Sequence, residues 1–198
     1  IGNVDFWIVK LDESGIIEWQ KTIGGTSSEV LTSIQPTSDN GYIIGGSSWS
    51  DISGDKSENS LGDNDYWVVK LNSSGTIEWD NTIGGSASDF QPTVQQSSDG
   101  GYFVGGQTYS LISGDKTEDS YFKDYWVIKL KSDGSVICQN TIGGSSNDHL
   151  YAIYPTYDGG VILGGHSESH SSGDKSEDNN VYHDNDFWIV KLGCSSYN

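Results

Sequence analysis

The chain contains no arginine and no methionine, and only three prolines and two cysteines. Nowhere does an apolar run approach the ~20 residues a bilayer-spanning helix needs. Without arginine, lysine supplies all 10 basic residues against 28 acidic ones, a formal net charge of −18. Nucleic acid is nearly excluded as a partner, because binding it needs clustered positive charge that releases counterions. Anionic membrane surfaces are disfavoured for the same reason. With no methionine at its start or elsewhere, the chain is expected to be a mature or excised segment. Scarce proline beside 26 glycines and 12% aromatics describes a turn-rich β composition. Seven tryptophans set it apart from a disordered acidic chain. The 198 residues suffice for one domain or one repeat array.

What is present is a repeat. Asp5-Phe6-Trp7-Ile8-Val9-Lys10-Leu11 returns at Asp65–Leu71, Asp124–Leu130 and Asp186–Leu192. Between these copies, Thr-Ile-Gly-Gly begins at Thr22, Thr82 and Thr141, and an apolar pair precedes Gly45-Gly46, Gly105-Gly106 and Gly164-Gly165. Ser-Gly-Asp-Lys starts at Ser53, Ser113 and Ser172. Repeats therefore span 5–64, 65–123 and 124–185, with a partial fourth at 186–198.

Each period holds four short strand candidates. Phe6 to Leu11 is apolar on both faces except for Lys10, as expected of a strand between two layers. Asp-Asn-Gly and Asp-Gly-Gly turns supply the positive φ values that tight hairpins need. No stretch has helical periodicity. The sequence predicts an all-β, propeller-like array of four-stranded antiparallel meander blades, three repeats plus an extra strand. A three-fold β-prism or trefoil is the alternative. The predicted units run from Leu31 through Thr76, from Phe90 through Ser135, and from Leu150 to Leu192 without a last strand. The hairpin Phe6 to Ile23 is half of another. Three units are few for a ring, so the chain is expected to be cut from a longer array or completed by a second copy through strand addition.

As a set, Asp-Tyr/Phe-Trp followed by Lys-Leu, Thr-Ile-Gly-Gly, Asp-Gly-Gly-Tyr and Ser-Gly-Asp-Lys resembles repeats of secreted Bacteroidetes proteins. Those are large surface or exported proteins, often with a type IX secretion sorting domain, and their repeats are thought to form β-propellers. Over residues 5–192 the resemblance implies a fold and a secreted or cell-surface location, and no activity.

Residues kept in every copy read as scaffold. Trp7, Trp67, Trp126 and Trp188 are expected between blades, as are Trp19 and Trp79, whose third copy is Cys138. Lys10, Lys70, Lys129 and Lys191 need partners if buried, and Glu29, Asp89 and Asp148 or Glu18 and Glu78 are the candidates. Departures from the repeat are more informative. Trp49 and Tyr109 share one position, where the third copy has Glu168; an aromatic there could stack on a sugar or simply cover the loop beneath. All four histidines, His149, His166, His170 and His183, fall in the third repeat. His166 and His170 on one strand would lie ~13 Å apart, too far to share a metal, and no usual ligand spacing appears. Cys138 and Cys194 could form a disulfide pinning the C-terminal strand.

The long loops are acidic. Asp55 and Glu58, with their copies Asp115 and Glu118 and then Asp174 and Glu177, are candidate Ca²⁺ ligands, because hard oxygen donors suit an irregular six- to eight-coordinate ion. A solvated acidic loop is the competing reading. No nucleophile elbow, P-loop or zinc-protease motif occurs. The expected function is a non-catalytic extracellular module for adhesion, display or binding to a glycan or surface protein. The alternatives are a lectin-like propeller with one shallow site per blade, and a propeller hydrolase or lyase whose site breaks the repeat.

Overall fold

The computed structural model describes residues 2–179 and 185–193. His183, Asp184 and Cys194 lie outside the described residues. Among the described residues there are thirteen strands, all paired antiparallel, and no helix. A first sheet pairs β1 (Phe6–Leu11) with β2 (Ile17–Ile23). The second joins β3 (Glu29–Pro36), β4 (Tyr42–Ser48), β5 (Asp65–Leu71) and β6 (Ile77–Ile83) in sequence order. The third does the same with β7 (Asp89–Gln96), β8 (Tyr102–Thr108), β9 (Asp124–Leu130) and β10 (Val136–Ile142). The last holds β11 (Asp148–Pro155), β12 (Val161–Ser167) and β13 (Asp186–Leu192). These are the predicted meander units, each running from the middle of one repeat into the next.

Turn chemistry sets the hairpins. Asn40, Gly100 and Gly159 take positive φ at the β3–β4, β7–β8 and β11–β12 turns, and the preceding Asp carboxylate accepts the N–H of Gly41 or Gly101 at 3.0 and 2.9 Å. Successive sheets then stack face to face. Phe6, Ile8 and Ile23 of the first sheet pack on Ile44, Trp67 and Val69 of the second. Tyr66 and Val68, on the opposite face of the same strand, pack on Val94, Val104 and Trp126 of the third. Tyr125 and Val127 pass the pattern on to Leu150, Leu163 and Trp188. A strand covered on both sides must be apolar on both sides, and β5 and β9 are buried along their whole length.

The repeated Gly-Gly has its cause in this stacking. A Cβ on Gly106 would sit 2.7 Å from Tyr66 Oη, and one on Gly46 would sit 2.3 Å from Phe6 Cζ. The aromatic of each sheet thus rests on the bare backbone of the next, and Tyr66 donates to Gln107 O at 3.1 Å. It also meets the next strand tryptophan, with ring centroids 5.1 Å apart for Phe6–Trp67, 5.3 Å for Tyr66–Trp126 and 5.2 Å for Tyr125–Trp188. Trp67 and Trp126 are buried as expected. Trp7 is 67% exposed because no described sheet covers its face.

The strand lysines pair differently from one of the two expectations. Lys70 Nζ lies 2.8 Å from Glu78 and 2.9 Å from Asp39, and Lys10 pairs with Glu18. In the third copy Ile137 replaces the glutamate, and Lys129 holds Asp99 at 2.8 Å. Lys191 pairs with Asp158. Burial would raise the Asp99 carboxyl, but Lys129, Ser97 and the Gly101 N–H together hold it at about 2. Glu29, Asp89 and Asp148 are not the lysine partners. They accept the N–H of Gly25, Gly85 and Gly144 at 2.9, 2.7 and 2.8 Å and tie down the Thr-Ile-Gly-Gly turns. Cys138 is disulfide-bonded.

Candidate functional site

The acidic loops between the second and third strands of each sheet are clamped. Lys56 is buried, and its ammonium donates to Glu58 O at 2.6 Å and to Thr82 Oγ1. Lys116 repeats this with Glu118 O and Thr141 Oγ1, and burial holds its ammonium down to about 8. Lys175 donates to Glu177 O and Asn179 Oδ1. The expected calcium ligands serve different backbone donors. Asp55, Asp115 and Asp174 accept the N–H of Gly24, Gly84 and Gly143 at 3.2, 3.2 and 3.1 Å. Glu58 and Glu118 accept the N–H of Thr82 and Thr141 at 2.6 and 2.5 Å. The loop therefore bridges its own sheet to the preceding one, which accounts for its fixed sequence.

Trp49 and Tyr109, by contrast, come together. Each follows the second strand of its sheet, and stacking sets them on one groove of about 390 Å³ whose walls include Val30, Phe90, Asn64 and Gln91. They are 43% and 45% exposed, the fraction that decides whether a ligand can reach them. Phe90 stacks on Tyr109 with centroids 5.8 Å apart. Gln91 occupies a β-bulge at φ 56°, a left-handed conformation its copies Leu31 and Leu150 do not share. Its side-chain oxygen accepts from Gln107 Nε2 at 3.0 Å. Bulges re-aim side chains next to sites, and this one orders the groove floor.

The same edge continues into the last sheet. Lys123 Nζ lies 5.7 Å from the centroids of both Phe90 and Tyr109 and 3.4 Å from each ring nitrogen of His149. His149, His166 and Glu168 occupy the positions that carry Phe90, Gln107 and Tyr109 one repeat earlier. Their ligand atoms all lie within 4.8 Å of one another. His149 and His166 are direct cross-strand partners, with rings stacked at 4.3 Å. Burial, then the Lys123 charge, lowers the His149 imidazole below its ordinary value. His170, expected too far from His166 to share a metal with it, lies outside this group and faces Asp178 at 3.6 Å. Repeat alignment singles out the third copy, but it does not show that three of its exceptions meet.

No family model matches the chain, and no curated protein matches it in sequence.

Proposed function

We propose that this protein is a non-catalytic extracellular binding module, a propeller-type array whose stacked sheets are blades, and that it takes a carbohydrate in the Trp49–Tyr109 groove. The observation that carries the reading is the convergence of two half-exposed aromatics from adjacent sheets on one open groove, with the polar groups of Asn64 and Gln91 beside them. Aromatic faces take the C–H faces of a sugar ring while amides bond its hydroxyls, the division of labour common to small-ligand clefts. An adhesion or display role agrees with the acidic, patterned surface and with the resemblance to exported repeats.

Exposed sheet faces support extension of the array. Phe187 is 94% exposed and Trp7 67%, although their repeat mates Tyr125 and Trp126 are buried, Tyr125 against the last sheet and Trp126 against the second. Stacking on a further sheet, from another copy or from more repeats, would give both the cover those mates have. Light scattering between micromolar and millimolar protein tests extension, with Trp7→Glu as the variant expected to block it. Titration with oligosaccharides of differing composition, followed by tryptophan fluorescence and calorimetry, tests the groove. Saturable binding abolished by Trp49→Ala and Tyr109→Ala is expected. Binding unaffected by both, or none to any glycan on a broad array, would remove the carbohydrate reading.

A further inference from the structure

We infer that His149, His166 and Glu168 form a binding site for a divalent transition-metal ion of the Zn²⁺ type, built once, in the last described sheet. The hairpin geometry supplies two ligands. His149 on β11 lies directly opposite His166 on β12, and such cross-strand partners have Cβ atoms only ~5 Å apart, so both imidazoles can turn to one ion. Glu168 follows two residues after His166 along the chain. Adjacent residues on an extended chain point to opposite sides, so this spacing returns the carboxylate to the histidine side. Its Oε1 already lies 3.7 Å from His149 Nε2. Ligand atoms at ~2.0–2.2 Å from a tetrahedral Zn²⁺ are roughly 3.4 Å apart, so small side-chain rotations complete the set.

A supporting contact fixes the carboxylate. Asn147 Nδ2 donates to Glu168 Oε2 at 2.9 Å, leaving Oε1 directed at the histidines, the outer-shell arrangement that orients metal ligands. Two imidazoles and one carboxylate form a recurrent Zn²⁺ donor set, and imidazole favours transition ions over Ca²⁺ or Mg²⁺. Three protein ligands leave a coordination position for water or an exogenous donor. The first two repeats have Val30, Ser47 and Trp49, then Phe90, Gln107 and Tyr109, at the same places, so scaffold needs do not explain the triad.

Lys123 is the competitor. Its ammonium beside His149 must leave when a cation enters, and the faces of Phe90 and Tyr109 give it a berth. An anion is the wrong occupant, since the Glu168 carboxylate would face it. The three ligands are not residues of the carbohydrate groove, and metal binding is read without a sugar, so this inference and the carbohydrate reading fail separately.

Competition of Zn²⁺ between the purified chain and a chromogenic chelator, combined with melting curves, tests it. One Zn²⁺ per chain is expected, with a rise in melting temperature on loading, and Co²⁺ should give the absorption bands of a low-symmetry site. His166→Ala and His149→Gln should abolish both stoichiometric binding and the thermal shift, while His170→Ala retains them. Asn147→Ala should weaken binding ~10-fold, and Lys123→Ala should strengthen it by on the order of tenfold. Zn²⁺ that fails to bind, or that binds equally well to folded His149→Gln and His166→Ala, would overturn the assignment. So would weaker binding in Lys123→Ala.

Discussion

Asp89→Asn should stabilise the protein at neutral pH. Asp89 is fully buried; its Oδ2 accepts from Gly85 N and Ser110 Oγ, while its Oδ1 has no hydrogen-bond partner. Burial raises its carboxyl to about 6, the neighbouring Asp65 charge adds to the rise, and the hydrogen bonds offset only part of it. A folded-state value above the unfolded one means that the native state binds the proton more tightly between pH ~4 and ~6. Stability is therefore lost as pH rises through that window, and the full cost is present above it. A rise from 3.8 to about 6 corresponds to ~3 kcal/mol. The asparagine keeps the acceptor for Gly85 and Ser110 and removes the charge, so a gain of about 2 kcal/mol at pH 7.5 is expected, or roughly 4–8 °C in melting temperature. At pH 4 the two proteins should be equal within about 1 kcal/mol, since a protonated Asp89 already lacks the charge. Urea unfolding followed by tryptophan fluorescence at pH 4, 6 and 7.5 measures the difference. Comparing variant with parent cancels most of the self-repulsion of a chain this acidic. An asparagine variant less stable than the parent at pH 7.5 would show that the charged carboxylate is supported there, and would refute the reasoning.

Asp124→Asn should behave in the same sense, because burial and then the Asp148 charge raise that carboxyl to about 7; its stability gain should go on growing to a higher pH than that of Asp89→Asn before it levels off. Lys70→Ala should cost about 1–3 kcal/mol in urea unfolding, since it removes a buried stem and takes the cation from Asp39 and Glu78, both of them half-exposed and partly screened. Gly105→Ala should cost about 1–3 kcal/mol, because its Cβ would meet Ile153 at 2.9 Å and Leu150 at 3.0 Å. Gly164→Ala, at the same repeat position but with nothing within 4 Å among the described residues, should change stability by less than about 0.5 kcal/mol; equal costs would deny that stacking selects the glycine. Asp55→Ala removes the acceptor of the Gly24 N–H and should lower the melting temperature equally with and without calcium. A loss confined to calcium-containing buffer would return these loops to the role of ion sites.

Much of this architecture follows from local chemistry, and so was legible in the chain itself. The Asp-Gly turns fix where hairpins reverse, the Asp-aromatic-Trp strand announces burial on both faces by having no polar side, and the repeat sets four strands per period. Pairings between sheets were not legible. Glu78 reaches Lys70 across one hairpin, within the range of sequence reasoning, but Asp39 arrives from another turn and Glu29 is diverted to the Gly25 N–H. The Gly-Gly motif is readable as a constraint, yet its cause is an aromatic about forty residues earlier for the second glycine and an aliphatic side chain of the next sheet for the first. The histidine cluster depends on a single irregularity. A register continued evenly from the β11–β12 turn would place Leu150 opposite His166 and send His149 to the other face. The bulge between Leu150 and Ala152 shifts the pairing by one residue and brings His149 across from His166. Because strand side chains alternate with a period of two, one inserted residue changes which face every later side chain occupies. Composition and spacing determined the sheets; the bulge and the stacking of one sheet on the next decided which side chains meet.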